Sequence, residues 1–201
     1  MNQLPFSQSC ENNKGPILEV IKRAFAQSTH LLEIGTGSAQ HATYFARHLP
    51  HLIWQTSDQA AYLEGIEMRL AQTNLPNLKD PLVLDVSKVW PLANSNSIDA
   101  IFTANTLHIM SKEMVEAFFC GIGKYLAPKG QLCIYGPFNY GGEYSSESNA
   151  RFDIWLKDRD HRSAIRNIEW IHELANMHGL KFCADHPMPA NNRLLHLTKI
   201  V

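Results

Sequence analysis

Residues 31–41 read Leu-Leu-Glu-Ile-Gly-Thr-Gly-Ser-Ala-Gln-His, and they restrict the fold more than any other stretch. Leu31, Leu32 and Ile34 form a short run of buried-strand character. Gly35 and Gly37 follow with Thr36 between them, and residues 39–47 then read as a helix, with Ser38 as the expected N-cap. A strand, a glycine turn and a helix start bring backbone N–H groups close to a ligand, because glycine has no Cβ to hold the ligand off. Nucleotide recognition is the expectation.

The dinucleotide fingerprint requires Gly-x-Gly-x-x-Gly, whose third glycine permits close helix–strand packing beneath a pyrophosphate. Counting from Gly35 places Gln40 at that third position. A long polar side chain there crowds the pyrophosphate, which weakens an NAD-type oxidoreductase reading. Glu33, two residues before the first glycine, suits a ligand with a cationic amino acid part and no phosphate, such as S-adenosylmethionine (SAM). At this point the chain resembles the class I SAM-dependent methyltransferases, whose first motif is an acidic residue followed by Gly-x-Gly. The alternative is a tight structural turn.

The rest of the chain alternates. Helices are expected over residues 16–27, from Ser38 onward, from about Asp58 to Thr73, and over 112–126 and 168–178. Strands are expected over 31–34, 51–56, 81–84, 98–104, 131–135, 181–186 and 194–200, with a turn at 128–130 and no clear strand in 139–166. This order predicts an α/β fold with a parallel, helix-covered sheet. The short connection at 187–193 predicts a C-terminal antiparallel hairpin. The resemblance implies the same three-layer, Rossmann-like, seven-stranded sheet. Residues 1–201 read as a single domain, with 138–166 as an insertion and possible substrate lid.

In an open parallel sheet, ligands lie outside the carboxyl ends of the strands. Polar residues fall at those ends. Asp58 follows the second strand, where a carboxylate can accept from both ribose hydroxyls. Asp85 follows the third, placed for the adenine amino group, with Val86 beside it to pack on the ring. Asn105 follows the fourth, within reach of the methionine end. The expected cofactor residues are Glu33, Gly35, Thr36, Gly37, Asp58, Asp85, Val86 and Asn105. Each polar one has a plainer alternative: a helix cap for Asp58, a turn residue for Asp85 and Asn105.

His108 is the expected general base for an acceptor hydroxyl or amine; its alternative is packing on the cofactor or capping the next helix. The segment Asn105-Thr106-Leu107 lacks the Asp/Asn-Pro-Pro-aromatic motif that holds a planar amino group, which counts against methylation of that kind. Asn13, Lys14 and Tyr140 are the expected substrate contacts. The 138–166 segment mixes Tyr144, Phe152 and Trp155 with Arg151, Lys157, Arg159 and Arg162. Asp153, Asp158 and Asp160 offset those bases, which favours a solvated helix face over nucleic-acid stacking.

A net charge near −1 gives no electrostatic case for nucleic acid or anionic membranes. The four cysteines are widely spaced without a C-x-x-C pair, so buried free thiols in a reducing cytosol are expected. Ten histidines show no metal-ligand spacing, since Pro50 separates His48 from His51; no metal is expected. No signal peptide is evident, and the apolar runs are far shorter than the roughly 20 residues that span a bilayer. The expected location is cytoplasmic, the partner a small molecule, and homo-oligomerisation is left open.

A narrower resemblance extends over nearly the whole chain. Matching stretches include Cys10-Glu11-Asn12-Asn13-Lys14, Leu49-Pro50-His51-Leu52, Asn105–Ile109, Tyr135-Gly136-Pro137-Phe138, Ile165-Arg166-Asn167 and Met188-Pro189-Ala190-Asn191-Asn192. They resemble a methyltransferase-like family carried as a domain of unknown function, with a mammalian methyltransferase-like member. The resemblance implies a SAM-binding fold and no particular acceptor. A SAM-dependent methyltransferase is the leading expectation, and a non-catalytic SAM-binding scaffold or partner subunit is the alternative.

Overall fold

Alternation along the strands sorts the apolar side chains into two layers. Leu32, Ile34, Ile101, Leu132 and Ile134 point to one face of the sheet, and Leu31, Ala100, Phe102, Cys133 and Tyr135 to the other. Both faces are therefore covered by helices, as a parallel sheet requires. The computed structural model describes residues 4–94 and 96–200.

In chain order the elements are α1 (Gln8–Ala24), β1 (His30–Ile34), α2 (Gln40–His48), β2 (Ile53–Asp58), α3 (Leu63–Ala71), β3 (Leu78–Val83), β4 (Ile98–Ala104), α4 (Lys112–Tyr125) and β5 (Leu126–Gly136). There follow β6 (Phe138–Asn139), α5 (Glu147–Arg159), β7 (Arg166–Asn167), α6 (Ile168–Met177), β8 (Leu180–Met188) and β9 (Asn192–Lys199). The main sheet has seven strands in the order β3-β2-β1-β4-β5-β9-β8. The first five are parallel, and β9 pairs antiparallel with both β5 and β8. This is the expected fold. Ile17, Ile21, Ala42, Phe45 and Ile66 bring α1, α2 and α3 onto one face; Val115, Phe118, Ile122, Ile171 and Leu174 bring α4 and α6 onto the other.

Several boundaries depart from the sequence reading. The first helix begins at Gln8, capped by Ser7, and runs through Pro16. Its polar opening turns lack the apolar stripe that marks a helix, and a proline more often starts one. Ser38 is not the cap of α2. That place belongs to Ala39, in the left-handed region at φ 55°, with no side-chain cap. Asp58 ends β2 and opens no helix; a 3-10 turn at Ala60–Tyr62 leads into α3. The segment 139–166 contributes strand residues after all, because β6 and β7 form a short parallel pair. Of the four cysteines only Cys133 is buried, while Cys120 and Cys183 are exposed and Cys10 half-buried.

Candidate functional site

The strand order reverses between β1 and β4, so the loops following these two strands diverge to open a crevice. Side-chain hydroxyls stitch the loops together. Thr103 Oγ1 donates to the Ile34 carbonyl (2.8 Å), and the Thr103 and Thr106 hydroxyls lie 2.6 Å apart. Gly35 has φ +75°, and a Cβ there would meet Thr106 Cγ2 at 2.5 Å. Both the conformation and the contact exclude a larger residue. Gly37, at φ +58°, has nothing within 4 Å of its Cβ position, so a ligand can reach its backbone.

The glycine loop is held from below. The N–H groups of Gly35 and Thr36 both donate to the Ser57 carbonyl (3.1 Å each), and the Gly37 N–H donates to Asp58 Oδ2 (2.7 Å). Glu33 lies beneath it, 2 % exposed, accepting on Oε2 from Thr36 Oγ1 (3.1 Å) and Trp54 Nε1 (3.0 Å). Burial is the main cause that pushes its carboxyl up to about 8, against the opposing pull of those two donors; nearby Asp58 adds to the rise. Glu33 is therefore largely protonated at neutral pH. Burial likewise raises Asp58, and the N–H groups of Gly37 and Gln59 oppose it.

Beyond this loop lies a cleft of about 870 Å³. One wall is the start of α1, with Ser7, Asn12 and Asn13. Asn105 and His108 come from the loop after β4, Tyr135 from the end of β5, and Asn149, Phe152, Trp155 and Arg159 from α5. Asn105 adopts the left-handed region at φ 60°, its N–H donating to the Tyr135 carbonyl (2.9 Å), which turns the chain sharply into the His108 loop. Phe152 stacks on Trp155 (5.6 Å between centroids, 19°) and presents its ring at a steep angle to His108 (5.2 Å, 74°). Burial first, and the charge of Arg166 second, lower His108 to about 4. Its imidazole is neutral at physiological pH, and the same surroundings make it a weaker base than an ordinary histidine.

The chain matches the family described as Protein of unknown function (DUF938) over residues 4–199. It belongs to the DUF938 family. Solved structures of similar fold include the mitomycin 7-O-methyltransferase (TM-score 0.80, 15% identity, 95% of this chain and 54% of that one). Another is an O-methyltransferase family 2 protein from Planctomyces limnophilus in complex with apigenin (TM-score 0.83, 16% identity, 96% and 58%). A third is an O-methyltransferase from neocarzinostatin biosynthesis in complex with SAM and 2-hydroxy-5-methyl naphthoic acid (TM-score 0.78, 16% identity, 96% and 55%). The DUF938 chain spans little more than half the length of these structures, and what it shares with them is the fold.

Within the DUF938 chain, Gly35, Thr36, Gly37 and Asp58 meet in one hydrogen-bonded loop, and Asn13, Asn105 and His108 meet in the cleft. Asp85 is half-buried after β3, where its Oδ1 accepts from the Ser87 N–H (3.0 Å) and Lys88 approaches Oδ2 (3.5 Å). Val86 is buried in the core layer beside α4. Lys14 and Tyr140 are not on the cleft wall. Lys14 pairs with Glu11 and lies over Tyr44, while the Tyr140 hydroxyl donates to Asp185 (2.7 Å), which also holds Arg193. Sequence reasoning gave Asn149 and Asn192 no site role, since they stood only within stretches of resemblance and no spacing tied them to a ligand. It placed Phe152 and Trp155 in the 138–166 lid segment without naming them as substrate contacts; both line the cleft. It also took Gln40 as an obstacle only. In the structure, the Gln40 amide oxygen accepts from the Ser7 N–H (2.6 Å), and its Nε2 donates to Glu11 (2.7 Å), tying α1 over the loop.

Proposed function

We propose that this chain is a cytoplasmic SAM-dependent methyltransferase that methylates a hydroxyl of a planar small molecule, with His108 as general base. The carrying observation is the neutral, buried His108 imidazole on the cleft wall, in the loop directly after the Asn105 turn. The similar fold of O-methyltransferases with flavonoid and naphthoic acid complexes supports a hydroxyl acceptor and a flat one.

The polar residues at the strand ends support SAM as the cofactor, although among the expected cofactor residues only Asn105 lines the cleft. The open backbone at Gly37, together with Gly35, Thr36 and Asn105, would face its methionine part; Asp58 would hold the ribose and Asp85 the adenine, whereas Val86 is buried in the core layer and could reach the ring only from behind. Glu33 acts from beneath by shaping the loop. Bound SAM supplies an electrophilic methyl group on a sulfonium centre. The chain's own residues do the rest. The Phe152–Trp155 pair orients a flat acceptor, and Asn13 and the Tyr135 hydroxyl, which lies against the Asn13 and Asn192 side chains, give polar contacts. His108 takes the hydroxyl proton as the acceptor oxygen gains the methyl group, and α5 excludes water as part of a lid over residues 138–166.

Calorimetry with SAM, its demethylated product and NAD, followed by labelled-methyl transfer into phenol and flavonoid panels, tests this. SAM binding with label on a hydroxyl is expected, and His108→Ala lowers kcat by about 10²- to 10⁴-fold while leaving SAM affinity within about twofold. Binding of NAD in place of SAM overturns the reading. SAM binding without label on any acceptor replaces the enzyme with a SAM-binding scaffold.

A further inference from the structure

The stretch Ile165-Arg166-Asn167 brings a guanidinium into the interior, and no step above uses it. Arg166 is 5 % exposed. Its Nε donates to the Leu107 carbonyl (3.3 Å), and its Nη2 donates to the carbonyls of Met110 and Arg162 (3.0 Å for the latter). Two of these three carbonyls flank His108 on its own loop. The neighbouring bonds run the same way: the Ala164 N–H donates to the His108 carbonyl (3.0 Å), and Ser163 Oγ to the Ile109 carbonyl (3.2 Å). Residues 162–166 thus grip residues 107–110 by backbone carbonyls alone.

The nearby carboxylates are committed elsewhere. Asp153 accepts from the Ile165 N–H (2.6 Å), Tyr144 (2.7 Å) and Lys157 (2.6 Å), and Glu113 accepts from Ser111 (2.7 Å). The Arg166 guanidinium bonds to carbonyls and to no carboxylate, and Asp153 and Glu113 act on it only from farther off.

We propose that Arg166 is the positioning residue for His108: it fixes the loop that carries the imidazole and holds a positive charge beside it that no carboxylate contacts directly. Its catalytic meaning rests on the methyltransferase reading, whereas the coupling itself does not. A cation beside a base disfavours the doubly charged state, so Arg166 keeps the imidazole unprotonated at rest and lowers its basicity. Other titratable or charged groups on the cleft are Tyr62 across the mouth, Tyr135 from β5, and Arg159 and Asp160 from the end of α5. Asp160 is paired with Arg162, and the Arg159 guanidinium lies over Trp155 (4.6 Å). Among the described residues, Arg166 is the charge that bears on His108.

The test needs neither methyl donor nor acceptor, so it fails or succeeds separately from the enzyme reading. Histidine-labelled full-length chain is titrated by NMR, with His108→Gln to assign the resonance, and amide exchange is followed over residues 107–110. In the wild type, His108 titrates far below ordinary histidines. Arg166→Gln raises its midpoint by about one pH unit, roughly a tenfold gain in proton affinity. Arg166→Lys keeps the charge but cannot span three carbonyls, so the midpoint stays low while exchange at 107–110 quickens about tenfold. An unshifted midpoint in folded Arg166→Gln overturns the proposal, as does unchanged exchange in Arg166→Lys. If the glutamine variant does not fold by circular dichroism, the lysine variant decides alone.

Discussion

Glu33 carries a carboxyl where the surroundings favour an acid over an anion. Its folded-state value of about 8 stands above the ordinary 4.5, so the folded protein takes up a proton between those values. The stability this group contributes is complete below about pH 4.5 and is lost as pH rises through about 8. Replacing it by Gln keeps an acceptor for Trp54 and Thr36 and removes the titration. Denaturant unfolding is expected to show the wild type losing on the order of 3 kcal/mol more than Glu33→Gln between about pH 5 and about pH 9. Equal losses in the two proteins would place the titration elsewhere. The residue itself was legible as special from its place before the glycines. Its orientation was not, because the donors that claim it, Trp54 and Thr36, come from a different strand and from the loop above.

At the scale of elements, the starts of α1 and α2 are joined by the Gln40 amide and by a buried bond between His41 and Asn13 (2.6 Å). Gln40 grips Ser7 and Glu11, and Arg69 from α3 donates to the carbonyls of Ser38 and Pro5, so the start of α1 is strapped over the glycine loop. These bonds put Ser7, Asn12 and Asn13 on the cleft wall. Gln40→Ala removes them without touching the apolar side of α2, where Ala42 and Phe45 pack. The loss of about 1–2 kcal/mol of local hydrogen bonding is expected to quicken amide exchange over residues 7–12 about tenfold, with the melting of the main sheet little changed. Exchange at wild-type rates would show that the packing of Ile17 and Ile21, with the Asn13–His41 and Arg69–Pro5 bonds, holds the helix down without Gln40. The periodic, apolar half of α1 could be read from Ile17, Leu18 and Ile21, whereas its polar half could not, since Ser7, Glu11 and Asn13 are held by tertiary bonds to Gln40 and His41.

The whole molecule places its candidate chemistry at the point where the sheet reverses direction. Beneath it, Phe45, Trp54 and Phe102 form an aromatic block, with centroids 5.5–6.0 Å apart, each side chain stabilising by about 1.5–3 kcal/mol. Above it, the 138–166 segment is fastened only unevenly: 162–166 bind the His108 loop, whereas 141–146 form an exposed turn ahead of α5. Limited proteolysis is expected to cut first within 141–146 and to slow severalfold once SAM and an acceptor are both bound. Cleavage that ignores both ligands removes the lid from the mechanism.

Alternating apolar residues and paired glycines are local facts of the chain, and so the sequence alone determined the α/β order, the buried strands and the turn at Gly35 and Gly37. Hydrophobic period and backbone freedom act over a few neighbouring residues, which is why they can be read in line. The β8–β9 hairpin was readable too, from a connection too short for a crossover, whereas the place of β9 beside β5 was only what the family resemblance implied. Only the tertiary structure decided which polar groups face the cleft and which support it. Asp58 and Glu33 look alike in sequence, yet one edges the open loop and the other is sealed beneath it. Lys14 and Asn13 are adjacent, yet a helix turns one toward Tyr44 and the other into the cleft. Arg166 lies some sixty residues from the carbonyls it holds. Such roles depend on burial and on partners distant in sequence, and both arise only when the two core layers close on the sheet.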